Sequence, residues 1–496
     1  MTQAQTVLLE VKQYHGRVKN YINGQWVDST TKEWLDVTNP ATGGVIAEVP
    51  LSTEEEVRQA VQAAHEAFKS WRDVPPPDRT QYLFAFKSLL EEHKEELARI
   101  VTQENGKSIV DARGEVQRAI QNVEVATGAG SLMMGYNLED IARGIDEDCL
   151  RQPMGVFCAI VPFNFPAMVA QWFMPYAIAC GNTYILKPSE QVPLSLNFCI
   201  ELLHKTGIPK GVINLVNGAK GVVDALLDSP EVRGVSFVGS TGVAKYVYQK
   251  ATANGKRAQC QGGAKNFMVA MPDAQLDKTV DNLIGSFYGG AGQRCLAGSV
   301  LLAVGDVYEP IKERLLEAAK KIRVGNGLDE SANMGPVISK KHQDKVLGYI
   351  DQGVKEGAKL ILDGRGVSVE GCPDGAFIGP CVFDEVTPDM TIAQEEIFGP
   401  VAAIIRVKDL DEAIGIIEAN RYGNAASIFT SDGKSAREFK HRVPVGNVGI
   451  NVGVAAPISF FPFSGMKESF FGDLHGQGQD AIEFFTEKKV VITRWF

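Results

Sequence analysis

The sequence predicts an α/β protein built from two units, each a parallel sheet covered by helices on both faces. Its 496 residues are too many for one ordinary hydrophobic core, so two or three domains are expected. From residue 155, short apolar runs that end in loops alternate with helical segments, and a similar alternation resumes after "CQGGAKNFMVAMPDA", which ends at residue 274. Strand–helix alternation of this kind is typical of doubly wound domains.

The region before this alternation is helical. The segment "STEEEVRQAVQAAHEAFKSW" opens with a Ser/Thr cap and acidic residues, and then places Val57, Val61, Ala64 and Phe68 at helical spacing. The helical pattern continues to about residue 105, and "GEVQRAIQNVEVATGAGSLMMG" is a further helix. This part of the chain therefore supplies covering helices.

The first unit takes its strands from four short apolar runs. These are "GVFCAIVPFNFP", "NTYILKPSE", "GVINLVNG" and "GVSFVGSTG", with "SLNFCIELLHKTG" and "VVDALLDSP" as helices among them. Because the runs are short and nearly all apolar, they predict strands that are buried on both faces.

The second unit repeats the alternation. We predict helices at 276–290, 309–322, 339–356 and 409–420, and strands near 298–304, 359–362, 401–405, 425–429 and 447–451. The last segment, "EFFTEKKVVITRWF", is β-rich and apolar. Such a strand needs a partner, so it pairs within the chain or adds to the sheet of another subunit.

Composition excludes several classes of function. A hydrophobic fraction of 45% and a charged fraction of 22% are typical of a globular protein, and a net charge of −10 argues against nucleic-acid binding. The first 20 residues lack the pattern of a signal peptide, and Gln171 and Pro175 interrupt the most apolar stretch, which predicts a buried core element and no membrane span. Eight cysteines without a CxxC pair predict reduced thiols and a cytoplasmic location, and seven scattered histidines predict no metal site.

One cysteine has the surroundings of a nucleophile. In "GGAGQRCLAG", small residues leave space around the sulfur of Cys295, and Arg294 places a positive charge beside it. Both features favour a thiolate. The alternative, an inert core thiol, fits Cys158, Cys180 and Cys199 better, because these lie in apolar runs.

Two segments have features of a nucleotide site. "SFVGSTGVAKYV" is a strand, a glycine-containing turn and a helix start, which lets backbone N–H groups approach a pyrophosphate, although an ordinary turn has the same pattern. In "ILKPSE", Lys187 and Glu190 follow a buried strand and have the donors and acceptors for ribose and phosphate. A solvated loop is the alternative for this pair.

Six motifs occur in the order and approximate spacing of one known family. "PFNFP", "LKPSE", "FVGSTGV", "GGAGQRCLAG", "EEIFGP" and "PFSGMKESFFG" run from about residue 160 to 472. The chain resembles the aldehyde dehydrogenase superfamily. This resemblance implies a Rossmann-type NAD-binding domain (1–130 and 151–255), a second α/β domain that is catalytic (256–455) and small β oligomerisation segments (131–150 and 456–496). It also implies a homotetramer arranged as a dimer of dimers.

The resemblance assigns roles to individual residues. Cys295 matches the thiolate that attacks an aldehyde carbonyl, and Asn164 matches the side-chain donor that stabilises the resulting alkoxide together with the Cys295 backbone N–H. A turn residue between two prolines is the alternative for Asn164. The residues that match NAD contacts are Glu396 and Phe398 for the nicotinamide side, Lys187, Glu190, Gly239 and Ser240 for the adenosine and phosphate side, and Phe163 beside Asn164.

One departure from the family pattern narrows the reaction. Acid-producing members carry a glutamate base in "ELGGK", whereas this chain has "QGGAK", with Gln261 at that position or Cys260 if the register slips by one. Neither residue is a general base near neutral pH. Together with "SLMMG", "GAKN" and "GQRC", the departure resembles the CoA-acylating branch of methylmalonate-semialdehyde dehydrogenases, in which coenzyme A takes the acyl group from the cysteine.

That branch implies a substrate with a carboxylate β to the aldehyde carbon, which is lost as CO2 to give acetyl-CoA or propionyl-CoA. Arginine recognises a carboxylate in a bidentate manner, and the candidates are Arg294 and Arg118. An exposed helix arginine is the alternative for Arg118. The sequence does not decide whether malonate semialdehyde or methylmalonate semialdehyde is the substrate, or whether the pathway is valine or inositol breakdown. Two other functions also stay open, a hydrolytic NAD-dependent aldehyde dehydrogenase and a non-catalytic structural protein.

Overall fold

The structure is a computed structural model that describes residues 7–496, so the first six of the 20 N-terminal residues considered for a signal peptide lie outside the described residues. Its helices are α1 (Glu54–Trp71), α2 (Pro76–Glu92), α3 (Lys94–Asn105), α4 (Ile109–Thr127), α5 (Ala129–Leu132), α6 (Met174–Ala179), α7 (Leu194–Lys205), α8 (Lys220–Asp228), α9 (Thr241–Ala253), α10 (Leu276–Tyr288), α11 (Tyr308–Ala319), α12 (Lys340–Lys355), α13 (Thr391–Gln394), α14 (Leu410–Ala419), α15 (Gly433–Arg442) and α16 (Gly478–Phe484).

Its strands are β1 (Asn20–Ile22), β2 (Gln25–Val27), β3 (Trp34–Thr38), β4 (Val45–Pro50), β5 (Tyr136–Ala142), β6 (Ile145–Pro153), β7 (Val156–Ile160), β8 (Thr183–Lys187), β9 (Ile213–Leu215), β10 (Val232–Val238), β11 (Arg257–Gln261), β12 (Asn266–Ala270), β13 (Gly298–Val304), β14 (Lys359–Leu362), β15 (Cys381–Asp384), β16 (Val401–Val407), β17 (Tyr422–Gly423), β18 (Ala425–Phe429), β19 (Asn447–Ile450), β20 (Met466–Lys467), β21 (Phe470–Phe471) and β22 (Thr486–Arg494).

The first sheet has eight strands in the order β2-β1-β9-β8-β7-β10-β11-β21. The run from β9 to β11 is parallel, and the outer strands are antiparallel. Chain order runs outward from β7 through β8 and β9 on one side and through β10 and β11 on the other. The strand order therefore reverses between β7 and β10, and ligands bind at such a switch point in open α/β sheets, beyond the carboxyl ends of the strands.

Helices cover both faces of this sheet, as the sequence predicts. One core packs α1, α8 and α9 against it, and a larger core packs α2, α4, α6 and α7 against its other face. The helix α1 begins at a capping box, in which Thr53 and Glu56 each bond the other's backbone N–H. The apolar stretch around Gln171 is a buried core segment, as expected, and no helix within residues 7–496 is long and apolar enough to cross a membrane.

The second sheet has seven strands in the order β14-β15-β16-β13-β12-β18-β19, and only β14 runs antiparallel to its neighbour. Its core is separate from those of the first sheet. The predicted helices and strands of this unit are confirmed to within three residues at either end, with β13 at 298–304 and α12 at 340–355. The strands β12 and β15 and the helix α15 were not among the predicted elements.

The change from one sheet to the other falls later than the predicted boundary at residue 256. Strand β11 pairs in parallel with β10, with Arg257 opposite Gly234 and Gln261 opposite Val238, and therefore extends the first sheet. The sheets change between Gln261 and Asn266. The functions assigned to the two units stay a prediction.

A third sheet joins three strands in the order β22-β6-β5. The C-terminal strand β22 pairs with β6 from Thr486 to Arg494, so one of the two predicted partnerships, pairing within the chain, is confirmed. Among the described residues no strand pairs with the other edge of β22, where Val490 is 59% and Ile492 is 67% exposed.

Candidate active site

A cavity of about 280 Å³ lies where the first sheet meets the segment before β13. It brings together four of the residues that the sequence singled out, Asn164, Cys295, Arg118 and Arg294. Its wall also includes residues that the sequence analysis did not consider, among them Lys107, Asp111, Glu115, Trp172, Gln293, Val454 and Phe463. The predicted nucleophile, oxyanion donor and carboxylate-binding arginines therefore share one cavity.

The loop that carries Cys295 has an unusual backbone. Gly290, Ala291 and Gly292 follow one another at φ values of 57°, 53° and 72°. A side chain at Gly292 would place its Cβ 2.2 Å from the Gly399 carbonyl oxygen, so this position requires glycine. The glycines of "GGAGQRC" thus form a left-handed turn between α10 and the cysteine, and do more than leave space around the sulfur.

The backbone of Cys295 is held by the second sheet. Its carbonyl accepts hydrogen bonds from the side-chain amides of Asn266, at 2.8 Å, and Asn424, at 2.7 Å. Asn266 also accepts the backbone N–H of Ala425. Asparagines at the starts of two adjacent parallel strands were not identified from the sequence, although "GAKN" includes the first of them.

The thiol of Cys295 differs from the sequence-based expectation. Burial raises its pKa to about 12, and the Glu396 carboxylate raises it further, whereas the backbone N–H groups of Cys295 and Leu296 act in the opposite direction. The expected effect of Arg294 is absent because its guanidinium points to Asp111. These surroundings therefore favour the thiol over the thiolate that the sequence predicts.

The other cysteines considered in the sequence are inert core thiols. Cys158, Cys180 and Cys199 are fully buried, and burial raises the pKa of all three, to about 12 for the first two. Cys295 is half-buried and lines the cavity, unlike these three.

Asn164 lies in the loop after β7 and is 6% exposed. Its side-chain Nδ2 donates to the carbonyl of Gln293 at 3.0 Å, two residues before the nucleophile. A carboxamide has two N–H donors, so one remains for a ligand in the cavity. The alternative reading of Asn164 as a simple turn residue does not account for this contact with the nucleophile loop.

A buried ion pair anchors the Asn164 loop. Lys107 Nζ donates to the Asn164 carbonyl and to Glu115 Oε2, both at 2.6 Å. The other carboxylate oxygen of Glu115 accepts the backbone N–H groups of Ala167, at 2.8 Å, and Met168, at 3.2 Å. The two side chains are 5% and 0% exposed, so the pair ties both ends of the loop to α4 and the segment before it.

Gln261 ends β11 and is 4% exposed. Its Nε2 donates to the Phe463 carbonyl at 3.1 Å, and Phe463 lines the cavity. The neighbouring Cys260 is completely buried, and burial raises its thiol pKa. The chain thus presents an amide, not a carboxylate, at the position that matches the family's base.

The two predicted arginines have different partners. Arg294 pairs with Asp111 and its second terminal nitrogen lies 3.4 Å from the Gly285 carbonyl. Arg118 donates only to Gln121, at 3.4 Å, and no carboxylate within residues 7–496 forms an ion pair with it. Arg118 therefore faces the cavity as the cation without an anionic partner.

The residues that match adenosine and phosphate contacts lie at the carboxyl ends of β8 and β10, the two strands that flank β7. Lys187 ends β8, is 4% exposed and donates to Glu190 at 3.0 Å, and burial lowers its pKa. Gly239 follows β10, and a Cβ there would lie 2.6 Å from the Phe237 ring. Ser240 is exposed at the start of α9, whose first N–H groups it does not cap. This arrangement fits a pyrophosphate at the switch point of the first sheet.

The residues that match nicotinamide contacts lie in two loops. Glu396 and Phe398 lie between α13 and β16, and Phe163 lies in the loop after β7. Burial raises the pKa of Glu396 to about 7, and its Oε1 accepts the Ala264 N–H at 2.9 Å. Phe398 has φ +60°, its carbonyl contacts His342 Nε2 at 2.7 Å, and its ring packs edge-on against Phe163 at 5.9 Å. His342 was not predicted. The set has the hydrogen-bonding and apolar groups that a nicotinamide riboside requires.

The comparisons with known proteins agree with this geometry. The model of the aldehyde dehydrogenase family matches residues 26–491. The malonate-semialdehyde dehydrogenase 1 of Geobacillus kaustophilus (strain HTA426) is 52% identical over 96% of this chain and 98% of its own length, and the malonate-semialdehyde dehydrogenase of Halalkalibacterium halodurans is 51% identical over 97% and 98%.

Solved structures give the same result. The crystal structure of methylmalonate-semialdehyde dehydrogenase from Oceanimonas doudoroffii has a TM-score of 0.95 and 46% identity, and covers 97% of this chain and 98% of its own. A Sinorhizobium meliloti 1021 protein in complex with NAD has a TM-score of 0.96 and 42% identity, with 98% and 99% covered. On fold, site and sequence together, the chain belongs to the aldehyde dehydrogenase family.

Proposed function

We propose that this enzyme oxidises malonate semialdehyde or methylmalonate semialdehyde with NAD and transfers the acyl group to coenzyme A, releasing CO2 and acetyl-CoA or propionyl-CoA. The observation that carries the proposal is the cavity that Cys295 and Asn164 share with Arg118 and Arg294. A nucleophile and an oxyanion donor suit an aldehyde, and the arginines suit a substrate that also carries a carboxylate. The names of the relatives at about 50% identity support the same substrates.

The first step is attack of the Cys295 thiolate on the aldehyde carbon. The carbonyl oxygen becomes an alkoxide, and the free N–H of Asn164 and the backbone N–H of Cys295 stabilise it. Because burial raises the pKa of the thiol, substrate or cofactor binding must help to remove its proton, for example by placing positive charge near the sulfur. The Glu396 carboxylate, which matches a nicotinamide-side contact, opposes this loss of the proton because its negative charge raises the pKa of the thiol.

NAD, when bound, accepts the hydride that leaves the substrate carbon. Lys187, Glu190, Gly239 and Ser240 would hold its adenosine and phosphates at the switch point of the first sheet. Phe163, Glu396 and Phe398 would hold the nicotinamide side. Loss of hydride leaves a thioester between the acyl group and Cys295.

The fate of this thioester depends on Gln261. A carboxylate there could activate water, but a carboxamide that donates to the Phe463 carbonyl has no basicity for this purpose. The acyl group therefore stays on Cys295 until the thiolate of CoA attacks the thioester carbon. The C–S bond to Cys295 then breaks, and its electron pair returns to the Cys295 sulfur. The substrate carboxylate leaves as CO2, and the electron pair of the broken C–C bond stays on the carbon that carried it, next to the thioester carbonyl, where it takes up a proton from solvent.

The test is NADH formation from malonate semialdehyde with and without CoA. We expect steady turnover only with CoA, and a single burst of about one equivalent per active site without it. Steady NADH formation without CoA would identify the hydrolytic alternative. The Cys295→Ala variant is the control, and if it kept full activity the nucleophile assignment would be wrong.

We further propose that the enzyme is a homotetramer, a dimer of dimers, in the cytoplasm. The open edge of β22 and its exposed side chains at Val490 and Ile492 support assembly through the third sheet. We also propose that the first unit binds NAD and that the second unit carries the nucleophile. Light scattering coupled to gel filtration measures the oligomeric state directly.

A further inference from the structure

Asp111 uses both of its carboxylate oxygens on the loop that carries the nucleophile. It lies in the first turn of α4, where Oδ1 pairs with the Arg294 guanidinium and Oδ2 accepts the backbone N–H of Gly290 at 3.1 Å. The guanidinium in turn lies flat against Gly289, where a Cβ would approach it to 2.5 Å. Asp111 therefore holds Arg294 against the end of α10 and the start of the nucleophile loop.

The charges in the cavity wall balance to one excess positive charge. The wall contains three cations, Lys107, Arg118 and Arg294, and two carboxylates, Asp111 and Glu115. Lys107 is paired with Glu115, and Arg294 is paired with Asp111, which leaves Arg118. Removing the charge of Asp111 would leave two uncompensated guanidinium groups in the wall of the cavity that Cys295 lines.

We propose that Asp111 is a specificity-determining residue that acts as the internal counter-ion of Arg294 and so sets how strongly the cavity prefers anionic over neutral electrophiles. This proposal rests on the proposed function, because the anionic electrophile is the semialdehyde, which carries a carboxylate. In the ligand-free enzyme the Asp111 carboxylate occupies Arg294, and an incoming carboxylate competes with it. Arg118 meets the substrate carboxylate without such competition.

The experiment uses two alkylating agents of similar size that differ in charge. Iodoacetate and iodoacetamide both transfer a carbon to the Cys295 thiolate and release iodide, and neither requires NAD, CoA or an aldehyde. The quantity measured is the ratio of their rates at Cys295, assigned by peptide mass and by its loss in Cys295→Ala. Because both rates come from one enzyme preparation, any misfolded fraction cancels in the ratio.

We expect Asp111→Asn to raise the iodoacetate-to-iodoacetamide ratio about fivefold, the effect of one unit charge near the thiol at an intermediate dielectric. Arg294→Gln should lower the ratio by a similar factor, because it leaves Asp111 unpaired. The double variant should return to within about twofold of the wild-type ratio. Glu124→Gln is the matched control, since it removes the same charge from the exposed part of α4 and should leave the ratio unchanged.

The substrate arm compares kcat/KM for malonate semialdehyde with that for propanal, a neutral aldehyde of the same chain length. Asp111→Asn should increase this preference for the anion by about the same fivefold factor. An unchanged or lower alkylation ratio in Asp111→Asn would overturn the proposal, as would a double variant that behaves like Asp111→Asn. If no variant oxidises the semialdehyde, the proposed function fails while the alkylation ratios still decide the role of Asp111.

Discussion

Replacing Lys107 by methionine separates the anchoring of the Asn164 loop from the chemistry in the cavity. Methionine keeps the length of the side chain but removes both 2.6 Å hydrogen bonds, to Glu115 and to the Asn164 carbonyl. The Glu115 carboxylate, 0% exposed, would retain only the N–H groups of Ala167 and Met168. Breaking a buried pair in this way costs about 3–5 kcal/mol of stability.

The effect on activity has a separate origin and an upper limit. If the Asn164 amide moves out of position, the alkoxide loses one donor, which costs about 10²–10³ in kcat. We therefore expect kcat of Lys107→Met to fall toward that limit. The assays are steady-state NADH formation and the midpoint of thermal unfolding.

A double variant separates the two effects. Lys107→Met combined with Glu115→Gln removes the stranded charge, so most of the lost stability should return. Activity should stay low, since the Asn164 carbonyl still lacks its donor. The reasoning is refuted if Lys107→Met keeps wild-type kcat, or if the double variant regains stability and activity together.

Three further outcomes are expected. Asn164→Ala should lower kcat by about 10²–10³ with little change in the thermal midpoint, and a loss below tenfold would remove Asn164 from the oxyanion role. Because burial raises the pKa of Cys295 to about 12, its alkylation by iodoacetamide in ligand-free enzyme should keep accelerating from about pH 7 to about pH 10, and a plateau near neutral pH would contradict this. Gln261→Glu should produce steady NADH formation without CoA, whereas Gln261→Ala should not. If the two variants behave alike, Gln261 does not determine whether water or CoA accepts the acyl group.

Most of the α/β architecture follows from periodicity along the sequence. The strand β13 and the helix α12 have long, clean apolar patterns and were placed within a residue or two. The strand β15 (Cys381–Asp384) was not predicted, and because all four of its residues are buried it has no alternation of buried and exposed positions. The strands β5 and β6 lie largely in the segment 131–150, for which the resemblance implies a small β element, but periodicity alone does not indicate β5, because all seven of its residues are exposed.

The site was less predictable than the fold. Motifs indicated Cys295 and Asn164, and the structure places both in one cavity, but their supports come from distant parts of the chain. Asp111 and Arg294 are 183 residues apart, and Lys107 is 57 residues from Asn164, so no local pattern reports either contact. Adjacency in sequence also misled us at Arg294, whose side chain turns away from the neighbouring thiol to reach a carboxylate on another helix.

The asparagines that grip the Cys295 carbonyl have a consequence beyond the cavity. Asn266 and Asn424 belong to the second sheet, whereas Asn164 extends from the first. The distance between the Cys295 sulfur and the Asn164 amide therefore depends on how the two units, each with its own core, pack against each other. Substitutions at the interface between the two units should alter turnover without contacting the substrate. Conditions that weaken this interface, such as mild denaturant or pressure, should inactivate the enzyme before either core unfolds.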